Sequence, residues 1–121
     1  MSGADRKKAL ITGASRGIGR SVASALASSG FDLYLTCRNN RELLDSLAEE
    51  LRRSYGIQCY CYAFSICDED KVSEMFRDIP YLDVLVNNAG ISYVGLLTDM
   101  TYQQWREVID INLSACFLTC R

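Results

Sequence analysis

The stretch Ala9-Leu10-Ile11-Thr12-Gly13-Ala14-Ser15-Arg16-Gly17-Ile18-Gly19 decides the fold. It opens as a short apolar run of buried-strand type and passes through Thr12-Gly13 into a loop whose glycines are spaced G-x-x-x-G-x-G. Ile18, Val22, Ala25 and Leu26 then recur at helical spacing, so a helix starts directly off the loop. Gly13 permits a sharp turn off the strand. Gly17 and Gly19 leave room for a phosphate-bearing ligand beside the helix start, where free N–H groups and the positive dipole end favour a pyrophosphate. A glycine triplet alone is a weak signal. This one follows a strand and opens a helix, which is the context a dinucleotide-binding loop requires. Ser15, Arg16 and Ile18 share the loop and join Gly13, Gly17 and Gly19 as candidate cofactor contacts.

The pattern repeats outward from this point. Gly30 is a helix-stop signal, and Phe31–Cys37 reads as a second strand. Leu44, Leu47, Ala48, Leu51 and Tyr55 form a second helical stripe closed by Gly56. Ile57–Phe64, rich in aromatic residues and cysteine, reads as a third strand. Asp68 is placed to cap a third helix, with Glu69 and Asp70 in its first turn and Val72, Met75, Phe76 and Ile79 as its stripe. Pro80 ends that helix, and Val84-Leu85-Val86 is a fourth strand. From Thr101, the positions Trp105, Val108, Ile109, Leu113, Cys116 and Phe117 are read as one long helical stripe to Arg121. Strands alternating with helices predict a Rossmann-type α/β fold, a parallel sheet with helices on both faces. Only about four strands are present before the chain stops in mid-helix.

The end of the second strand bears on which dinucleotide the loop takes. A carboxylate there would bind a ribose 2′-hydroxyl. This chain has Cys37 and then Arg38. Arg38 and Arg16 together suit a 2′-phosphate through charge-assisted hydrogen bonds, so NADP(H) is expected over NAD(H).

Composition narrows the remaining classes. A net charge of −2 over 121 residues, with signs mixed, argues against nucleic-acid binding and against a polybasic membrane surface. No apolar run approaches a membrane span or a secretory leader, so a cytoplasmic location is expected. The six cysteines, Cys37, Cys59, Cys61, Cys67, Cys116 and Cys120, include no C-x-x-C pair, and the chain has no histidine. A zinc site is therefore not expected, nor a Ser-His-Asp or Cys-His centre. Cys59 and Cys61 share one strand face and read as reduced, packed thiols.

These motifs resemble those of the classical short-chain dehydrogenase/reductase family. Thr12-Gly13-Ala14-Ser15-Arg16-Gly17-Ile18-Gly19 matches its Thr-Gly-x-x-x-Gly-x-Gly, and Asn87-Asn88-Ala89-Gly90 its Asn-Asn-Ala-Gly, preceded by Asp83-Val84-Leu85-Val86. Asn112 in Ile111-Asn112-Leu113 matches its active-site asparagine. The resemblance implies that Asn87, Asn88, Ala89 and Gly90 line the cofactor crevice and that Asn112 is catalytic, holding a water that relays protons. It also places Ser65, followed by Ile66, where many members carry an adenine-binding aspartate. The family's Tyr-x-x-x-Lys, which protonates the substrate carbonyl, does not occur among these residues. Tyr102 has Arg106 four places on, and arginine is a poor substitute.

Residues 1–121 are accordingly expected to be the N-terminal part of a single NADP-binding domain of roughly twice this length. Residues 87–101 look most like 3-oxoacyl-acyl-carrier-protein reductases, and within them the elongation factor P 5-aminopentanone reductase branch. The implied activity is NADPH-dependent reduction of a small-molecule carbonyl, of 3-oxoacyl thioester type, free or carrier-protein-bound. The implied assembly is a homo-oligomer at full length. Two other readings stand beside it: a non-catalytic NADP(H)-binding module, and an inactive fragment whose stripe Leu113, Cys116 and Phe117 would lie exposed and invite association. Ser92 and Tyr93 read as loop residues that pack locally.

Overall fold

The computed structural model describes residues 6–92 and 94–121. The elements follow in the order β1 (Lys8–Ile11), α1 (Gly17–Ser28), β2 (Asp32–Cys37), α2 (Arg41–Tyr55), β3 (Cys59–Ala63), α3 (Glu69–Asp78), β4 (Val84–Val86), α4 (Tyr102–Ile109) and α5 (Ala115–Cys120). The four strands form one parallel sheet in the order β3-β2-β1-β4. The register pairs Leu10 with Tyr34 and with Leu85, and Leu35 with Cys61. The Rossmann-type sheet expected from the sequence is therefore present.

Alternation along the strands sorts side chains onto two faces. Ala9, Ile11, Leu33, Leu35, Cys37 and Cys59 pack on one face against Ala23 and Ala27 of α1 and Leu44, Leu47, Ala48 and Leu51 of α2. Leu10 and Tyr34 pack on the other against Met75 and Ile79 of α3. Small residues on α1 let that helix lie close to the sheet. Leu44 and Leu47 of α2 are fully buried, each contributing about 1.5–3 kcal/mol of burial. β2, covered on both sides, is buried throughout its length.

The stop signals work locally as their chemistry requires. Gly30 and Gly56 sit at φ of +89° and +66° just beyond α1 and α2, a backbone region that glycine enters without strain. The Asp68 carboxylate accepts the Lys71 N–H and caps α3, which ends before Pro80. Thr101 and Gln104 form a reciprocal capping box at the start of α4.

One expectation requires correction. Residues 101–121 do not form one continuous α-helix: Asp110–Ser114 make a π-turn between α4 and α5. The inward residues there are Ile111, Ala115 and Thr119, while Leu113 and Phe117 of the expected stripe are 64% exposed. The two stripes lie side by side on the helix surface. The one with smaller side chains fits against Val72 of α3 and Ile66.

Candidate cofactor site

The site lies where the C-terminal ends of β1, β2 and β4 open, the usual ligand position in an open parallel sheet. Thr12 organises it. Its backbone N–H donates to the Val86 carbonyl at 3.1 Å. Its hydroxyl oxygen accepts the N–H groups of both Asn88 and Ala89 at 3.0 Å. The Asn88 Nδ2 donates in turn to the Gly13 carbonyl at 3.0 Å. The glycine loop and the Asn87–Gly90 segment are thereby fastened together.

The glycines divide their work. Gly13 adopts φ +65°, and a Cβ there would stand 2.9 Å from the Ala89 Cα. At Gly19 a Cβ would fall 2.3 Å from the Gly13 oxygen and 2.5 Å from Asn88 Nδ2, so this glycine serves close packing of α1 on the loop. Gly17 differs, with φ +62° and nothing within 4 Å of a built Cβ. It leaves open backbone at the start of α1, whose N-terminus has no side-chain cap and no acidic residue in its first turn. That combination suits a phosphate.

A cavity of about 130 Å³ sits beside this loop. Its walls bring together Gly13, Arg38, Ser65, Ile66, Ala89 and Gly90 of the sequence-derived set. Thr36, Cys37, Phe64, Ile91 and Ile111 complete it. Ile111 escaped the sequence reading because it lies off the apolar stripe, on the π-turn that carries it inward. The Ser65 hydroxyl accepts the Cys67 N–H at 3.4 Å, in a tight turn after β3. Burial pushes the Cys37 thiol up, and does the same at Cys67, where Asp110 adds to it and the Ser65 hydrogen bond and Arg38 oppose it. Both thiols remain protonated at neutral pH.

The other sequence-derived residues stand around this cavity without lining it. Arg16, Gly17 and Ile18 are exposed at the head of α1, and Ser15 is buried just before it. The Asn87 carboxamide turns to α5: its Oδ1 accepts the Thr119 hydroxyl at 2.6 Å and its Nδ2 faces Cys120 Sγ at 3.5 Å. Asn112 pairs with the backbone of Ile91, and a Cβ on Gly90 would come 3.0 Å from its Oδ1. Arg38 bears on the cavity while its Nη1 stands 3.4 Å from Glu107 Oε1. Tyr93 lies outside the described residues.

A model of the family described as short chain dehydrogenase matches residues 7–121. The chain belongs to the short-chain dehydrogenase family. Among curated proteins it is 40% identical over 115 residues to the 3-oxoacyl-[acyl-carrier-protein] reductase FabG of Staphylococcus aureus (strain Mu50 / ATCC 700699), covering 92% of this chain and 46% of that protein. It is 36% identical over 116 residues to the protein of the same name from Aquifex aeolicus (strain VF5), covering 93% and 46%. The chain thus spans about half the length of the curated relatives it matches. Its fold matches a short-chain dehydrogenase from Sphingobium yanoikuyae in complex with NADPH, with a TM-score of 0.87 and 31% identity over 94% of this chain and 45% of that one. It also matches an L-sorbose reductase from Gluconobacter frateurii complexed with NADPH and L-sorbose, at a TM-score of 0.90 and 27% identity over 96% and 45%. An alcohol dehydrogenase from Thermococcus sibiricus complexed with 5-hydroxy-NADP superposes with a TM-score of 0.85 at 32% identity, over 95% and 50%. No helix among the described residues is long and apolar enough to cross a membrane.

Proposed function

We propose that this chain supplies the cofactor-binding half of an NADPH-dependent reductase acting on a carbonyl substrate of the 3-oxoacyl thioester type. The observation that carries the reading is the cavity beside the glycine loop, which gathers Gly13, Arg38, Ser65, Ile66, Ala89 and Gly90 from four separate segments. The residues present fit a dinucleotide phosphate: Gly17 is open, the N-terminus of α1 is uncapped, and a cation stands at the end of β2 where a ribose-binding carboxylate would otherwise be. Gly17, Ile18, Ser15 and Arg16 would face the pyrophosphate. Ser65 and Ile66 would meet the adenine, and Arg38, assisted by Arg16, would hold the 2′-phosphate. NADPH, when bound, supplies the hydride.

This chain's own residues shape and hold the site. Thr12 and Asn88 fix the two loops that border it, and Asn112 fixes the backbone at Ile91 on its far side. Ala89 and Gly90 form the wall between them, and Asn87 ties the same segment to Thr119 of α5. The identity to 3-oxoacyl-[acyl-carrier-protein] reductases supports the substrate class. The exposed Trp105, Leu113 and Phe117 support a homo-oligomer, since apolar surface of this kind is covered in an assembled protein. A cytoplasmic location accords with that chemistry.

The experiment is a paired titration with NADPH and NADH, followed by an assay of NADPH oxidation with a β-keto thioester. Preferential NADPH binding, weakened at least tenfold by Arg38→Ala with NADH little changed, supports the cofactor assignment. Equal affinity for the two dinucleotides, unaltered by Arg38→Ala, overturns it. NADPH binding without thioester-dependent oxidation makes the protein a binding module and removes the reductase assignment.

A further inference from the structure

We propose that Glu107 is a specificity-determining residue, whose carboxylate competes with a cofactor 2′-phosphate for the Arg38 guanidinium. The proposal rests on the NADP(H) reading and adds to it a residue on a different element. Arg38 leaves the end of β2 and Glu107 sits on α4, and their side chains meet at 3.4 Å. Arg38 lines the cavity, as does Ile111, one helical turn beyond Glu107. Glu107 therefore stands just outside the cavity, against the side chain of Arg38 that lines it.

Both side chains are about half exposed, at 52% and 49%. An exposed pair of this kind is weak and yields readily to a stronger partner. A phosphate dianion is one. On reaching Arg38 it would have to displace Glu107 and then stand beside the carboxylate it had displaced. That repulsion acts over a short distance on a doubly charged group. A dinucleotide ending in a ribose 2′-hydroxyl carries no charge at that point and meets little of the penalty. Asp110, three residues beyond Glu107, lies 3.9 Å from Arg106 and is partly neutralised by it. Glu107 is thus the carboxylate that limits how strongly Arg38 selects a 2′-phosphate.

The test substitutes Glu107→Gln, which keeps the shape and removes the charge, and measures NADPH and NADH dissociation constants by fluorescence titration in low salt. The expected result is an NADPH dissociation constant about 3- to 10-fold lower, with NADH changed by less than about twofold. The gain should shrink at about 0.5 M salt, where exposed charges are screened. It should vanish when Arg38→Ala is combined with Glu107→Gln. If Glu107→Gln leaves NADPH affinity unchanged, or weakens it, while the unsubstituted protein still prefers NADPH, the competition is overturned and the cofactor reading stands. If the unsubstituted protein does not prefer NADPH and Arg38→Ala changes nothing, both fall.

Discussion

The carboxamide of Asn112 is bonded at both ends to one residue: the Ile91 N–H donates to its Oδ1 and its Nδ2 donates to the Ile91 carbonyl, each at 2.8 Å. The π-turn that carries Asn112 is thereby clipped to the loop after β4. Asn112→Ala removes both bonds and should cost about 1–2 kcal/mol of stability, since the groups released are exposed and water replaces part of the loss. Asn112→Asp is the sharper probe. At neutral pH its carboxylate keeps the acceptor and cannot donate, so an anionic oxygen faces the Ile91 carbonyl. Protonation restores a donor, so the aspartate variant should recover stability as pH falls through the carboxyl range. Urea unfolding at pH 4 and pH 7 would show it, and a variant equally stable at both would sink the double-bond account.

Gly17 and Gly19 should respond oppositely to the same methyl group. Gly19→Ala drives a Cβ into the Gly13 oxygen and Asn88 Nδ2, both closer than 3 Å, and backbone cannot easily retreat. It should lower the melting temperature severely and abolish cofactor binding with it. Gly17→Ala meets no neighbour, and its φ of +62° costs about 1–2 kcal/mol. It should melt close to the unsubstituted protein yet bind NADPH much more weakly. Matching losses of stability in the two variants would show that Gly17 is merely structural.

Much of this was legible because local chemistry and global fold agree. The runs at 9–11 and 84–86 had nowhere to go but a covered sheet, and Gly30, Gly56, Asp68 and Pro80 marked helix ends by steric and capping rules that need no tertiary context. The glycine loop was recognisable because its spacing coincided with a strand-to-helix switch. Other features needed the folded chain. A π-turn has no local sequence signature, so the choice between the stripe of Leu113 and Phe117 and that of Ile111 and Ala115 was decided by packing on α3. Asn88 and Thr12 act on each other across 76 residues of sequence, and no periodicity reveals a partner at that separation. Asn87 likewise gave no sign that α5 would take its carboxamide.

Asp32 is another residue that strand patterning hides. It heads β2 at 1% exposure, with Lys8 Nζ 3.4 Å and Arg6 Nη1 3.6 Å from its carboxylate and the Gln58 N–H donating to it at 2.9 Å. One buried group therefore joins the starts of β1, β2 and β3. Asp32→Ala strands Lys8 and Arg6 beside an apolar sheet end and should destabilise by about 3 kcal/mol. Asp32→Asn preserves the Gln58 bond and should lose less. Denaturant midpoints at neutral pH would rank the two variants. An alanine variant as stable as the parent would mean that the cations hold this end without the carboxylate.

The cysteines supply a pH-dependent prediction. Burial, with Cys61 nearby, pushes the Cys59 thiol up to about 12, and burial with Asp45 raises Cys61 to about 11. Thiolates are the reactive form, so iodoacetamide at pH 8 should modify the exposed Cys120 and leave Cys59 and Cys61 intact until the chain unfolds. Both groups have folded values above the unfolded thiol value of 9.0. Their contribution is fully present below about pH 9 and is lost as pH rises towards 11–12, because unfolding then releases protons that the folded state retains. The melting temperature should consequently fall steeply above pH 9. Cys59→Ala with Cys61→Ala removes the two proton-releasing groups and should flatten that fall, even though the cavity left at Cys59 lowers the plateau. An unchanged alkaline slope in the double variant would assign the pH dependence to other groups, with Tyr62, held up to about 12 by burial and by Asp78, the first to examine.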